Sequence, residues 1–303
     1  SNVTVPLLGM ADMAIAGRLV DSTATIGALA IGTSIFNFIY WNCSFLRMGT
    51  SGLTAQAFGA KLKEECADLL VRGVVMAIAL AAILLSLQRP IGEFAIWLMN
   101  GDELVSRYFF ARIWAVPAAI SLFALNGWFI GMQNSSTPMV IALVQNVINI
   151  VCSIWFAFGL EMGLEGVAWG TVVAQYSGVA MAVVAIAWRY RDVVRLACLR
   201  RAMKLQAMGR FFAVNRDIFI RSFCLCVAYT FFTAAAARMG DPTILAVNSL
   251  MMQLFSLFSY MSDGVAYAAE ALTGRFVGAG HRFRERFGGL CGLRVYSNCI
   301  FVL

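Results

Sequence analysis

The stretch Leu7-Leu8-Gly9-Met10-Ala11-Asp12-Met13-Ala14-Ile15-Ala16-Gly17 sets one carboxylate inside a run that is otherwise apolar or very small. Burying an ionised Asp in lipid costs a few kcal/mol or more, so such a residue faces a polar interior and carries function. With the outer end of this helix near Asp21, a rise of ~1.5 Å per residue puts Asp12 roughly 13 Å down, near the middle of a ~30 Å hydrocarbon layer. Pro6 lies one to two turns earlier and predicts a kink beside the acid, because proline removes a backbone donor and clashes with the preceding turn.

The chain around this stretch is built for a membrane. Of its 303 residues 61% are hydrophobic and 13% charged, and its mean hydropathy is +0.79, whereas soluble domains run near 45–50% apolar and about 25% charged. Apolar runs of about 18 residues or more, separated by short polar breaks, specify transmembrane helices rather than the alternating strands of an outer-membrane barrel. The net charge of +7 follows from basic loops on one side of a bilayer and needs no nucleic acid. Cys43, Cys152, Cys224 and Cys226 fall in apolar runs and Cys66 in a Lys/Glu segment, so they read as small reduced residues rather than disulfides. The single histidine, His281, excludes haem, di-iron and zinc-protease chemistry, which want several His ligands or an H-E-x-x-H helix. Ser1-Asn2 already lies in an apolar run and Ile300-Phe301-Val302-Leu303 begins another, which predicts a chain clipped at both ends.

In order, helices are expected to about Leu19, from Thr25 to Ala60, Ala67 to Leu87, Leu104 to Met132, Thr137 to Leu160, Gly166 to Trp188, Ile218 to Met239 and Thr243 to Val277, with a partial ninth after them. Arg89 to Glu103 reads as an interfacial piece. Over residues 189–215 lie Arg189, Arg191, Arg195, Arg200, Arg201, Lys204 and Arg210 against the single acid Asp192, so this interval is cytoplasmic. Counting back from it puts Asp21, Glu93, Asp102, Glu103, Glu161, Glu165 and Asp241 outside. Lys61, Lys63, Arg275, Arg282, Arg284 and Arg286 fall inside.

An internal repeat runs through this order. Leu53-Thr54 matches Leu272-Thr273, Gly59-Ala60 matches Gly278-Ala279, and Phe36 matches Phe255, at an offset of 219 residues (278 − 59); with one residue of slippage Arg18 and Asp21 match Arg238 and Asp241. Both copies end on the same membrane side, so the repeat is parallel and six helices plus the basic interval form one unit. Parallel repeats of this kind place a substrate cavity between two halves that rock around it. The expected division is a six-helix lobe over 1–190, a basic linker over 191–215, and the start of a second lobe over 216–303. Asp12 has no counterpart: its partner position is Phe231 or Phe232.

Three segments resemble the MATE (multidrug and toxin extrusion) family, in its DinF-like bacterial branch. They are Val5 to Asp12, Phe45 to Lys61 and Asp263 to Ala271. The resemblance implies an all-α polytopic membrane protein, a two-lobe bundle of six-helix parallel repeats, with the second lobe incomplete in this chain. It also implies export of amphipathic, often cationic compounds, driven by inward H⁺ or Na⁺. Asp12 stands where the family keeps its first-helix acid, Asn149 matches a fifth-helix Asn, and Thr171 a sixth-helix Thr that accompanies a cation in some members. Ser153 stands where many members carry a second Asp, which weakens a two-carboxylate Na⁺ site at Asp12 and Asn149. Helix rise independently puts Asp12, Asn149, Ser153 and Thr171 about 9 to 18 Å deep, and Asn149 and Ser153 share a helical face.

The expected function is therefore a cation-coupled antiporter in the inner cell membrane, not an enzyme, with Asp12 as the coupling carboxylate. Its expected partners are small organic substrates and the lipid bilayer, with no nucleic acid and as a monomer. No cofactor is expected beyond the coupling ion. Arg47, Asp263, Glu270 and Met252 are candidates for substrate contact or gating, although charges near helix ends also snorkel. Asn149, Ser153 and Thr171 have a plainer role as interhelical glue. A lipid-linked oligosaccharide flippase is the alternative and would want a cavity lined with several Arg or Lys. A membrane-embedded enzyme would want a catalytic pair at one depth, where this sequence offers one carboxylate among amides and hydroxyls.

Overall fold

A computed structural model of the chain describes residues 4–19, 22–99, 101–238 and 242–280. Asp21, Asp241 and the expected partial ninth helix with His281, Arg282, Arg284 and Arg286 lie outside the described residues, as do the side chains of Met252, Phe255 and Asp263. Among the described residues the chain is helical with no strand. The helices are α1 (Thr4–Ala16), α2 (Ser22–Cys43), α3 (Phe45–Gly59), α4 (Lys63–Ser86), α5 (Gln88–Leu98), α6 (Glu103–Arg112), α7 (Val116–Gly131), α8 (Ser136–Ile154), α9 (Gly163–Arg189), α10 (Arg191–Val194), α11 (Leu199–Ala202), α12 (Leu205–Arg238) and α13 (Pro242–Gly278). Five stretches among the described residues are long and apolar enough to cross a membrane: Thr23–Gly59, Lys63–Ser86, Glu103–Gly131, Ser136–Gly159 and Gly163–Arg189.

The helices stop where local chemistry stops them. Lys61, Gln133 and Glu161 take positive φ values of 59°, 61° and 54°, the left-handed conformation that commonly ends a helix and reverses the chain. Each follows an apolar helix within a few residues, at the polar breaks legible in the sequence.

Three local departures have physical causes. The second helix is interrupted at Ser44, whose Oγ donates to the Trp41 carbonyl at 2.7 Å and so competes with the backbone ladder. The fourth helix passes through a 3₁₀ turn at Ile113–Ala115, because Pro117 has no N–H and its ring crowds the Ile113 carbonyl one turn back. The fifth ends in a π-helical turn at Trp155–Gly159. Around Asp12, by contrast, α1 stays α-helical, and Pro6 falls in its first described turn rather than beside the acid.

The largest difference concerns the basic interval. The sequence predicts an irregular linker to residue 215, yet α12 begins at Leu205. Phe211, Asn215 and Cys226 are buried while Arg210, Arg216 and Arg221 are exposed. That spacing is one apolar helical face, with the arginines on the other, so the charges mark a helix face and not a loop.

What remains of the interval is clamped to α4. Arg201 pairs with Asp68 and Glu64, and Asp68, fully buried, also accepts the Cys198 N–H at 3.3 Å. Arg72, 3% exposed, donates from Nε to the Ala202 carbonyl at 2.9 Å and pairs through Nη1 with Glu65 at 2.6 Å. The hydrogen bond from Arg201 to Asp68 and the field of the nearby acids raise the guanidinium pKa above its usual value. In the first turn of α4, the Cys66 carbonyl accepts from Nε1 of the buried Trp128 at 2.8 Å, tying α7 to α4.

The repeat has a contact of its own. A side chain at Gly59 would strike the Arg275 carbonyl, and one at Gly278 would strike the Gln56 carbonyl. Gln56 and Arg275 stand at the same offset as Gly59 and Gly278, so α3 and α13 give each other equivalent groups. A reciprocal contact of this kind is what a pseudo-two-fold axis along the membrane normal produces between parallel repeats. The Gly274 backbone lies against Ala55, its own counterpart at that offset, on the axis itself.

Residues assigned to one membrane side also gather at one end of the fold. Lys61, Lys63 and Arg275 line one cavity and Lys204 and Arg210 a neighbouring one. Glu103 and Glu165, assigned to the opposite side, both approach Arg107.

Candidate functional site

Asp12 lies on the inward face of α1, 9% exposed, and its Oδ1 is buried without a hydrogen-bond partner. The stretch around it explains how that is tolerated: Gly9 and Ala11 are small, and the bulky Met10 and Met13 turn outward, 67% and 50% exposed, as lipid-facing side chains do.

The nearest compensating charge is one that sequence reasoning missed. Arg112, at the end of α6, is within electrostatic reach of Asp12 without forming an ion pair with it. Its Nη1 donates to Thr33 Oγ1 at 3.2 Å and to the Tyr108 hydroxyl, and its guanidinium lies over the Phe36 and Tyr108 rings at 5.0 and 5.5 Å. Aromatic faces hold a cation well in a partly dry site. Arg112 Nε and the Tyr40 hydroxyl are buried without partners, as Asp12 Oδ1 is. Unsatisfied buried polar atoms are rare in proteins and costly, and here they gather where α1, α2 and α6 meet. The sequence held the signal: Arg112 stands nine residues past Glu103, roughly 13 Å along the helix, too deep for an easy reach to the surface.

Asn149, Ser153 and Thr171 are brought together as expected, but mainly for one another. Asn149 Nδ2 donates to Thr171 Oγ1 at 3.2 Å, Ser153 Oγ to Asn149 Oδ1 at 3.3 Å, and Thr171 Oγ1 to the Val167 carbonyl at 3.2 Å. All three are buried, at 2%, 0% and 5% exposure. Gly170 lets the α9 backbone approach Ser153 so closely that a Cβ there would meet its Oγ and backbone N. This chain staples α8 to α9, and α1 packs on both, so it braces the helix that carries Asp12. Among the described residues no hydrogen bond joins it to that acid.

A second polar cluster lies between α3 and α13. Arg47 donates from Nη2 to the Tyr267 hydroxyl, with its guanidinium 4.2 Å from that ring's centre. Glu270 stands close by, within the fields of Arg47 and Arg221, with its Oε1 over Gly52. Two of the sequence-derived gating candidates therefore meet across the two repeats. Asp263 and Met252 fall outside the described side chains. Among the described residues no group of three or more His, Cys, Asp or Glu comes together in a way that could hold a metal.

The MatE family model matches residues 1–155. The chain is 36% identical over 287 residues to DNA damage-inducible protein F of Escherichia coli (strain K12), covering 92% of this chain and 61% of that protein. It is 24% identical over 262 residues to multidrug and toxin extrusion protein 2 of Mus musculus, covering 80% and 44%. Among solved structures, a MATE crystal structure in the bent conformation superposes with a TM-score of 0.82 at 17% identity, over 98% of this chain and 64% of that one. An outward-facing multidrug resistance MATE family transporter of the MOP superfamily superposes at 0.80 and 18%, over 99% and 65%. The chain thus spans less than two thirds of the length of each of these proteins.

Proposed function

The chain belongs to the MATE family, and on that footing we propose that the protein carrying it is a secondary antiporter, exporting amphipathic or cationic organic compounds against an inward flow of H⁺ or Na⁺. Asp12 is the coupling carboxylate. The observation behind this assignment is its unpartnered Oδ1, buried beside Arg112 and away from any ion pair. A carboxylate so placed can take up and give back a cation without breaking a structural bond. Alternating exposure of the cavity between two lobes then ties that uptake to release of the organic compound.

H⁺ fits the site better than Na⁺. The fixed charge of Arg112 opposes any cation at Asp12, H⁺ and Na⁺ alike, by about 4 kcal/mol at 4 Å for an effective dielectric of ~20, so coordination is what separates the two: Na⁺ needs several free oxygen ligands. A proton neutralises the acid as a covalent O–H and brings no separate ion to coordinate. Asn149, Ser153 and Thr171, spent on one another, supply a braced polar wall rather than a free ring of ligands.

The end of the fold with Lys61, Lys63 and the residues clamped to α4 faces the cytoplasm, in the inner cell membrane, as the charge asymmetry directs. The two-lobe division then falls near the Tyr190–Lys204 interval. Drug export by membrane vesicles containing the Asp12→Asn protein tests the assignment: export should vanish with expression and insertion unchanged, and wild-type rates would exclude Asp12 from coupling.

A further inference from the structure

At the end of the fold where the basic residues gather, a cavity of about 550 Å³ opens between α3, α4, the start of α12 and the end of α13. Its wall has two chemistries. Leu53, Leu69 and Phe211 form an apolar side, and Arg72, Lys204 and Arg210 bring three cations to the polar side. Glu65 neutralises Arg72 through its 2.6 Å pair, which leaves Lys204 and Arg210 as surplus charge; neither has an acidic partner among the described residues. Gln56 and Gln206 add neutral donors beside them.

The wall is also held in place. Arg72 is buried with its Nε and Nη1 committed to Ala202 and Glu65, and the Asp68–Arg201 pair fixes the segment leading into Lys204. With the backbone that carries Lys204 and the Arg72 side of the wall already ordered, binding has to order only the Lys204 and Arg210 side chains.

We propose that this cavity binds the phosphate head group of an anionic phospholipid, with Lys204 and Arg210 as its cationic ligands and the apolar side receiving the upper acyl chain. Three features select that ligand: a surplus of two positive charges, an adjoining hydrocarbon-compatible wall, and a position at the basic end of a membrane-spanning bundle, where lipid phosphates lie. A zwitterionic lipid of the same shape brings a quaternary ammonium, whose repulsion by the two cations offsets the attraction of its phosphate. Binding here is independent of the transport assignment, because it is read without any substrate or ion gradient.

Native mass spectrometry of the whole protein in a neutral detergent, titrated with phosphatidylglycerol or with phosphatidylcholine of matched chains, tests the proposal. Each cation near a lipid surface contributes about a factor of five. The Lys204→Gln/Arg210→Gln protein should therefore bind phosphatidylglycerol roughly thirtyfold more weakly and phosphatidylcholine unchanged, while Lys204→Arg/Arg210→Lys keeps the preference. Both positions are solvent-exposed, and an unchanged melting temperature verifies that the variants fold. Equal binding of the two lipids by the wild type, or an undiminished phosphatidylglycerol preference in the double Gln variant, would overturn the proposal. So would displacement of phosphatidylglycerol by millimolar inorganic phosphate, which would identify a soluble phosphate as the ligand.

Discussion

Arg112 shows how one residue changes the meaning of another. Alone, Asp12 is a buried acid; beside a guanidinium that is itself held by Thr33, Tyr108 and two aromatic faces, it is an acid in a fixed positive field. If that field is what disfavours Na⁺, Arg112→Gln should raise the Na⁺ affinity of the purified protein about tenfold or more; isothermal titration with NaCl that gives the same weak signal for both proteins would refute it. Ser153 leads to a different expectation from the one its sequence position invites. From the sequence, Ser153→Asp restores a second carboxylate and strengthens Na⁺ dependence. In the structure Ser153 is fully buried, donates to Asn149 and touches the α9 backbone at Gly170. Adding a carboxylate there forces extra volume and an unpaired charge into a packed joint, which costs about 1–3 kcal/mol from crowding alone. Ser153→Asp should lower the melting temperature and gain no Na⁺ binding, and a thermal shift assay with and without Na⁺ distinguishes the two outcomes.

Among the elements, the short clamped segment between α9 and α12 decides how the chain passes from one repeat to the other. Asp68 is buried and Arg201 about one third exposed, so removing the arginine leaves a carboxylate in the interior with its main partner gone, the costly way to break such a pair. Arg201→Ala should therefore be more destabilising than Asp68→Asn, and should loosen the segment so that trypsin cuts faster after the already exposed Arg195 and Arg200. Limited proteolysis that cuts wild type and Arg201→Ala at the same rate would mean the clamp does not hold the segment. The length of α12 belongs to the same scale. Its arginines made it look like a loop, yet Phe211 and Asn215 face α3 one turn apart, and a helix with one basic face is as good a helix as one without.

At the scale of the whole molecule, the α3–α13 joint is where the two repeats meet. The proposed transport cycle, in which the lobes rock, would require this joint to open at the basic end, and the reciprocal approach of Gly59 and Gly278 to opposite carbonyls makes it close-fitting. Ala55 and Gly274 face each other across it, near enough for a disulfide once the backbone relaxes by about an ångström. In a protein otherwise free of cysteine, Ala55→Cys/Gly274→Cys should crosslink under oxidation, lose transport, and recover it on reduction. Full transport by the quantitatively crosslinked protein would show that the joint stays shut throughout the cycle.

What the sequence determined by itself follows from transfer free energy, a property each residue carries locally. Apolar runs specified the spans, the excess of Lys and Arg specified their common end, and the cost of a lone carboxylate in lipid singled out Asp12. The 219-residue offset was equally legible, because a repeat is a comparison of the chain with itself. Which groups meet was not legible in the same way. Arg112 comes within electrostatic reach of Asp12, Asn149 donates to Thr171, and Arg201 locks onto Asp68 only because separate helices pack side by side. Such pairings depend on interaxial distance and rotation, which no single helix encodes. The tertiary structure alone therefore decided that Asn149, Ser153 and Thr171 bond to one another beside α1, while Arg112, outside the expected set, lies in the field of Asp12.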